Sequence, residues 1–253
     1  MTTQTLSRDD RLTEALGGDQ AAEGLLAAAE RGGMTALLPG DEHWPAALAA
    51  LAALGADAPS MLWGMGDTAL LARPTAERIA ITGSRASTTY GEHITRELGT
   101  SLAATGHVLI TGGGYGIDKA VHDALRPSGA PSIAILASGL DRLYPAGNAD
   151  MLRDVAATGL LLSAQPPGAT PTRERFVQRA GIIAALCAAT VITEAGYRSG
   201  ALGVAYRALA LRRIVAAVPG PVTSAASAGC HRLIQDGEAH LVTQASDLTA
   251  LIT

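Results

Sequence analysis

The segment RIAITGSRASTTYG, residues 78–91, carries the residue types that bind a phosphate group. A β-branched apolar run passes directly into Gly83, Ser84 and Arg85, and the small hydroxylated Ser87 follows two residues later. A strand that ends in glycine and serine ahead of a helix directs free backbone N–H groups and the positive helix end at one point. Arg85 adds a forked cation there. The segment therefore predicts an anion site that suits a phosphate.

Three later turns have a similar composition, and each follows an apolar stretch. GGGYGID begins at residue 112, SGLDRLYP at residue 138, and EAGYRSGALGVA at residue 194. Glycine lacks the Cβ atom that would hold an anion away from the backbone amides, so several such turns at one sheet edge suit a phosphate-bearing ligand. The run GGGYG does not keep the spacing of a dinucleotide fingerprint, and no acidic residue stands at the end of the next strand to hold a ribose. A plain NAD-dependent enzyme is therefore disfavoured.

Alternating strands and helices predict the scaffold that holds these turns. From residue 79 onward, apolar stretches are separated by helical stretches, which is the pattern of a parallel sheet covered on both faces. We predict a doubly wound, mostly parallel α/β fold of the Rossmann type, with its ligand site outside the carboxyl ends of the strands. The predicted strands are 79–82, 107–111, 132–137, 159–163, 190–193, 213–218 and 240–242.

The N-terminal part of the sequence differs from this pattern. Its apolar residues recur at helical spacing, interrupted by glycine pairs, and predict short helices. A short extended piece, MLW, follows from residue 61. We therefore predict a small N-terminal helical appendage over residues 1–72 and a Rossmann-like core domain over residues 73–253.

Composition limits the class of protein. The 253 residues are 48% hydrophobic and 17% charged, which allows a large core. The formal net charge is −4 and the pI is near 5.8, whereas a protein that coats a polyanion is usually basic, so any nucleic-acid site must be local. The sequence predicts no membrane span and no signal peptide, so we expect a cytoplasmic protein. Cys187 and Cys230 form no disulfide framework and no metal-ligand spacing.

Taken together, these segments resemble the DprA/Smf family of DNA-processing proteins, in the order and spacing of that family, over residues 40–248. The matching pieces are HWPAAL, PSMLWGMGD, ITGSRASTTYG, TGGGYGIDKAVHDAL, SIAILASGLDRLYP, GLLLSAQPPG, RFVQRAGIIAAL, VITEAGYRSGAL, VAAVPGPV and GCHRLIQDGEAHLV. The resemblance implies a cytoplasmic bacterial protein that binds single-stranded DNA, incoming or damaged, and hands it to a RecA-type recombinase. It implies no catalytic residue, no metal and no cofactor.

The resemblance also implies which residues contact the DNA, because family members hold single strands in a deep basic pocket at the strand edge. The first loop of that pocket is matched by Gly83, Ser84 and Arg85, the second by Gly112, Gly116, Ile117 and Asp118, and the third by Ser199 and Gly200. The predicted nucleic-acid and phosphate-binding residues are Gly83, Ser84, Arg85, Ser87, Gly112, Gly113, Gly114, Gly116, Asp118, Lys119, Gly139, Arg175, Arg179, Ser199 and Gly200. The alternative is that the glycines only form tight turns and that Arg85 pairs with a carboxylate at the sheet end.

The chain departs from the family pattern at several positions. Where the family has Arg-Asn-Arg before an apolar helix, residues 179–181 read Arg-Ala-Gly, which predicts the loss of one phosphate clamp. Arg173, Arg175 and Lys119 are candidates to restore local positive charge, although scattered cations of this kind are usually solvated. The sequence ends at residue 253, soon after the last predicted strand, so we expect the core without the C-terminal winged-helix module of many relatives.

Two other functions stay open. The glycine turns also resemble those of nucleoside-monophosphate phosphoribohydrolases, for which Glu194 and Arg198 would be the catalytic candidates, but Glu194 precedes its glycine turn instead of following it. The other alternative is a protein that keeps the fold and binds a nucleotide or a protein partner. Asp118 and His122 share a helix face and could form an acid–base pair, yet we expect them to stabilise the loop and the helix start.

Two further expectations concern stacking and assembly. Tyr90, Tyr115 and Tyr197 lie on the predicted ligand-facing turns and are candidates to stack on bases, although tyrosine also commonly caps a sheet edge. The family often dimerises through the later part of its fold, so we expect a homodimer. The apolar stretch IIAALCAATVI, residues 182–192, either hides such a surface or belongs to the core.

Overall fold

The computed structural model describes residues 7–16, 18–56 and 58–252. Its strands are β1 (Thr35–Leu37), β2 (Leu62–Gly66), β3 (Arg78–Thr82), β4 (Val108–Thr111), β5 (Ser132–Leu136), β6 (Leu160–Ser163), β7 (Ala189–Ile192), β8 (Ile214–Ala217) and β9 (His240–Leu241). Its α-helices are α1 (Arg8–Leu16), α2 (Asp19–Arg31), α3 (Thr89–Ala104), α4 (Ile117–Leu125), α5 (Ala149–Thr158), α6 (Arg173–Leu186), α7 (Leu202–Ala210), α8 (Ala228–Gln235) and α9 (Ala245–Ile252). Short 3-10 helices occupy Ala46–Leu54, Thr68–Leu71, Thr75–Glu77, Arg126–Ser128 and Ala146–Asn148.

These strands form a single sheet in the order β1-β2-β6-β5-β4-β3-β7-β8-β9. From β6 across to β9 every neighbouring pair is parallel. Successive side chains of a strand alternate between faces, so Ile79 and Ile81 pack with α3 and α4, whereas Ala80 packs with α6 and α7 on the opposite face. The predicted doubly wound, mostly parallel α/β fold is confirmed. Each of the seven predicted strands is present to within one residue at either end.

The N-terminal part contains strands besides its predicted helices. β1 and β2 form the antiparallel edge of the main sheet, where Trp63 of β2 pairs with Ser163 of β6. Sequence patterning missed β1, which has only three residues. It found only the start of β2, as the extended piece from residue 61, because Gly64 and Gly66 follow. The division of the chain at residue 72 stays a prediction.

The apolar stretch 182–192 lies inside the core. Ile182 and Ile183 are each 1% exposed, and the rest of the stretch continues through the end of α6 into β7. Cys187 and Cys230 are buried as well, and burial raises the pKa of each thiol to about 12. Of the two interpretations of this stretch, the structure selects the core.

Neither a membrane span nor a metal cluster occurs in the described part of the chain. No helix there is long and apolar enough to cross a membrane. No group of three or more histidine, cysteine, aspartate or glutamate side chains there is placed to hold a metal ion.

The strand order creates a crevice at the carboxyl edge of the sheet. The chain runs from β3 through β4 and β5 to β6 on one side of β3, and continues with β7, β8 and β9 on the other side. The helices that follow β3 and β7 pack on opposite faces, so the loops after these two strands diverge. Doubly wound folds bind ligands at such a switch point.

Candidate nucleic-acid interface

A cavity of about 800 Å³ opens at this crevice, between the loops after β3 and β7, with the first half of α6 along its side. The charged residues that line it in the described structure are Arg85, Arg173, Arg179, Arg198 and Asp118. Four arginines against one aspartate concentrate positive charge here, although the net charge of the chain is −4. The cavity therefore suits an anionic ligand such as a phosphodiester chain.

Glu194, which follows β7, shapes the loop after β3. The Ser84 amide donates a hydrogen bond to the Glu194 carbonyl oxygen at 2.7 Å, and the Thr88 amide donates to the Glu194 carboxylate at 3.0 Å. Thr88 also caps α3, because its Oγ1 accepts a hydrogen bond from the Gly91 amide. These contacts fix the loop that carries Arg85 at the mouth of the cavity.

The Glu194 carboxylate is therefore engaged within the protein. The residue is 2% exposed, its carboxylate also accepts a hydrogen bond from the Thr88 hydroxyl, and it does not line the cavity. A phosphoribohydrolase would need this carboxylate within reach of a bound ribose. Glu194 instead holds the loop after β3 in shape.

The glycine loop 112–116 lies beneath the loop after β3. Gly116 has a φ of +69°, and a Cβ atom there would lie 2.3 Å from the Ser84 carbonyl oxygen, so only glycine fits. The Ile117 amide donates to that same carbonyl at 3.1 Å and ties the two loops together. Gly112 and Gly113 are buried outside the lining of the main cavity, and Gly114 lines a small cavity of about 40 Å³ beside it. The 112–116 loop therefore packs against the loop after β3 and holds it in place.

Asp118 and His122 have separate sets of partners. Asp118 lines the main cavity, and its carboxylate accepts hydrogen bonds from the Thr82 hydroxyl at 2.7 Å and from the Gly114 amide at 3.0 Å. His122 is buried, with Nε2 2.7 Å from the Thr111 hydroxyl oxygen and Nδ1 2.9 Å from the Ser132 hydroxyl oxygen. Burial lowers the pKa of His122 to about 4. Asp118 thus stabilises the glycine loop, as expected, whereas His122 joins β4 to β5 instead.

Phe176 lies between two arginines at the cavity wall. The guanidinium carbon of Arg85 is 5.0 Å from the centre of its ring, and that of Arg179 is 4.9 Å from it. The negative faces of the ring attract both cations and so hold two like charges close together. The pKa of Arg179 is lowered overall, because burial and the nearby Arg85 lower it more than Asp118 raises it. Sequence analysis did not identify Phe176 as a site residue, although it is the only phenylalanine in the chain and precedes Arg179 by three residues.

The loop after β7 supplies Arg198, Ser199 and Gly200 to the cavity. A Cβ atom at Gly200 would meet nothing within 4 Å, so the backbone is open to a ligand. The predicted residues that line the main cavity are Gly83, Ser84, Arg85, Asp118, Arg179, Ser199 and Gly200. Their contact with a ligand stays a prediction.

Besides the glycines of the 112–116 loop, four predicted site residues lie outside the cavity, namely Ser87, Lys119, Gly139 and Arg175. Their hydrogen-bond partners are, in that order, Glu92, Asp123, Ala169 and Thr170. Sequence position alone does not show which side of a helix or turn faces a cavity, and here each of these residues is satisfied by a neighbour. Gly112, Gly113, Gly114 and Gly116 also lie outside the lining and support it as described above.

The structure gives a different meaning to the Arg-Ala-Gly sequence at residues 179–181. Arg179 and Ala180 line the cavity, but a Cβ atom at Gly181 would lie 3.2 Å from Leu51 Cδ2, under the 3-10 helix Ala46–Leu54. Gly181, where the resemblance predicts a second arginine, is therefore packed against Leu51. An arginine there would have to displace Leu51 before it could reach a ligand.

The three tyrosines differ in their surroundings. Tyr90 donates a hydrogen bond to the Pro219 carbonyl at 2.6 Å, and the Tyr115 ring packs against Gly147. Tyr197 is 66% exposed, beside Arg198 on the loop after β7. A stacking role for any of them stays a prediction.

Comparison with known proteins places this geometry in a family. Residues 35–253 match the family model described as DNA recombination-mediator protein A. A DprA-type protein of Mycobacterium tuberculosis is 44% identical over 241 residues, which cover 92% of this chain and 61% of that protein. The chain thus spans about three fifths of the length of that relative.

Solved structures agree with this match. DNA processing protein A of Streptococcus pneumoniae superposes with a TM-score of 0.79 at 32% identity, over 91% of this chain and 80% of that one. A structure of the Helicobacter pylori protein, reported for its single-stranded DNA binding mode, gives a TM-score of 0.76 at 27% identity, over 87% of this chain and 95% of that one.

Proposed function

The chain belongs to the DNA recombination-mediator protein A family, and from this premise we propose that its arginine-lined cavity binds single-stranded DNA. The observation that carries the proposal is the convergence of Arg85, Arg173, Arg179 and Arg198 on one cavity of an acidic protein. Phosphate oxygens are the partners that the forked guanidinium group fits best. The H. pylori relative, whose structure was reported for its single-stranded DNA binding, supports the same ligand.

The lining also bears on sequence preference. Phosphate contacts position a nucleic acid but carry no sequence information, whereas base-edge contacts specify it. The cavity offers four arginines and glycine turns, a set suited to the phosphate backbone, and the Phe176 ring is already in contact with Arg85 and Arg179. The proposed site therefore binds single strands with little sequence preference.

The proposal extends to cellular role and partners. The protein acts in the cytoplasm, protects single-stranded DNA during transformation or recombination, and passes the strand to a RecA-type recombinase, in keeping with the family description as a recombination mediator. A homodimer is part of the proposal, with a surface other than residues 182–192. Light scattering tests the dimer, and strand exchange by a RecA-type protein on coated single strands tests the mediator role.

Fluorescence anisotropy of a labelled oligothymidylate tests the ligand. Saturable binding is expected, with displacement by an unlabelled single strand at lower concentration than by a duplex of equal length. A parallel melting experiment compares the oligonucleotide with AMP, because only a ligand of the native state raises the melting temperature. A shift with AMP and none with the oligonucleotide would favour a nucleotide-binding protein.

The role of Glu194 separates a binding protein from a hydrolase. Glu194→Gln is expected to lower the free energy of unfolding by about 1 to 3 kcal/mol, because the buried Glu194 side chain loses one of the oxygens that accept hydrogen bonds from the Thr88 amide and hydroxyl. Urea denaturation measures this loss. Incubation with nucleoside monophosphates should release no free base from either protein. Base release by the wild type that disappears in the variant would establish the hydrolase instead.

A further inference from the structure

Asn148 is buried against the glycine loop 112–116 and binds its backbone. It is 1% exposed, and its Nδ2 donates hydrogen bonds to the carbonyl oxygens of Gly113 at 3.1 Å and Gly114 at 2.8 Å. The residue lies outside both cavities of the site. One buried amide group thus serves two consecutive peptide units.

Those two bonds complete a set that fixes three successive carbonyl groups. The Gly112 carbonyl oxygen accepts a hydrogen bond from Arg179 Nη1 at 2.9 Å. Because each peptide unit is planar and trans, a carbonyl fixed in one direction points the following N–H the opposite way. Asn148 therefore sets the direction of the Gly114 and Tyr115 amides, and the Gly114 amide meets the Asp118 carboxylate.

Asn148 makes these bonds at the expense of its local role. It occupies the N-cap position of α5, where an asparagine side chain normally accepts a hydrogen bond from the first turn of the helix. Here the side chain makes no such bond, and its Oδ1 is buried without a partner. A residue that breaks a local rule and leaves a buried acceptor unpaired is expected where function requires a particular geometry.

The loop that Asn148 holds reaches the site. Gly114 and Tyr115 line the small cavity of about 40 Å³ together with Arg85, Phe176 and Arg179, and Arg85 and Arg179 also line the main cavity. We infer that Asn148 is a positioning residue for single-strand binding, which acts by orienting the 113–115 backbone beside these two arginines. This inference rests on the proposed function of the cavity.

Asn148→Asp tests the inference, because a carboxylate of the same shape accepts hydrogen bonds but donates none to the two carbonyls. Affinity for labelled oligothymidylate is expected to fall about tenfold, because a loop that has lost these hydrogen bonds must be ordered when the strand binds. Asn148→Ala, which introduces no charge, is measured in parallel. The control is Asp67→Ala, which removes a cap that accepts the Ala69 amide at 3.0 Å outside both cavities. It should lose stability without losing affinity.

A second measurement separates positioning from general destabilisation. In ¹H–¹⁵N spectra of folded protein, the amides of Gly114 and Tyr115 should shift in both Asn148 variants and stay in place in Asp67→Ala. Binding by both Asn148 variants within about twofold of wild type, under conditions where they are folded, would overturn the inference. If the wild type itself does not bind single strands, the proposed function fails, and unshifted loop amides would then show that Asn148 does not position the loop either.

Discussion

Replacing Arg85 with alanine and Arg179 with methionine together is expected to weaken single-stranded DNA binding about 30-fold. Each charge-assisted contact with a phosphate contributes about 1 to 3 kcal/mol, and a loss of 1.4 kcal/mol is tenfold in affinity. The two side chains share Phe176, each about 5 Å from its ring, so their effects need not add. Anisotropy titration of the double variant and both single variants measures the coupling.

The single variants separate the loss of a DNA contact from a disturbance of the protein itself. Arg179 is half-buried and donates to the Gly112 carbonyl, so its replacement also disturbs the glycine loop. Arg85 is exposed, and Arg85→Ala should fold normally and still lose about 1 to 3 kcal/mol of binding. Arg153→Ala, on α5 and paired with Asp150, removes an exposed arginine outside the cavity and should bind like wild type. Equal affinity for DNA in Arg85→Ala and Arg153→Ala would show that the loop after β3 does not contact the DNA.

Acidification is expected to destabilise the protein through His122. Its pKa is about 4 in the folded state, below the ordinary value of 6.5, because burial disfavours the charged ring. Above pH 6.5 neither state binds the proton, and between pH 6.5 and pH 4 only the unfolded state does, so stability falls as the pH is lowered. The shift corresponds to about 3 kcal/mol, fully lost once the pH is below 4.

Urea denaturation at pH 7 and pH 4 isolates this contribution when wild type is compared with His122→Gln. Other groups also titrate between these values, but they are common to both proteins. The drop in unfolding free energy on acidification should be smaller in the variant by about 3 kcal/mol. An equal drop in the two proteins would mean that His122 takes up its proton in the folded state as readily as in the unfolded one.

The fold was largely predictable because its strands carry their signal locally. Apolar stretches such as 132–137 and 159–163 become β5 and β6 to within a residue. β1 gave no such signal because it has only three residues, and β2 gave one only at its start, ahead of Gly64 and Gly66. Their place at the edge of the sheet depends on pairing with β6, about 100 residues later in the sequence than β2.

The lining of the cavity was predictable where a loop carries its own chemistry, as at Arg85 and at Ser199 and Gly200. It was not predictable where partners are distant in sequence: Glu194 holds Thr88 across 106 residues, and Arg179 reaches Gly112 across 67. Lys119 has a suitable charge in a suitable segment, yet its ammonium pairs with Asp123 on its own helix. In these cases the contacts depend on which residues the fold brings together and on where their side chains point, neither of which the sequence shows.

The salt dependence of oligothymidylate binding tests the central claim most directly, because it counts the phosphates that the cavity neutralises. Four arginines line the cavity, so we expect roughly three to five phosphates to be neutralised per subunit. Each phosphate of a single strand contributes about 0.7 to the slope. A plot of log affinity against log salt concentration should therefore have a slope of about −2 to −3.5. Arg85→Ala should make that slope shallower by about 0.7. A slope near zero, or one that Arg85→Ala leaves unchanged, would contradict the account and point to a mononucleotide or protein ligand.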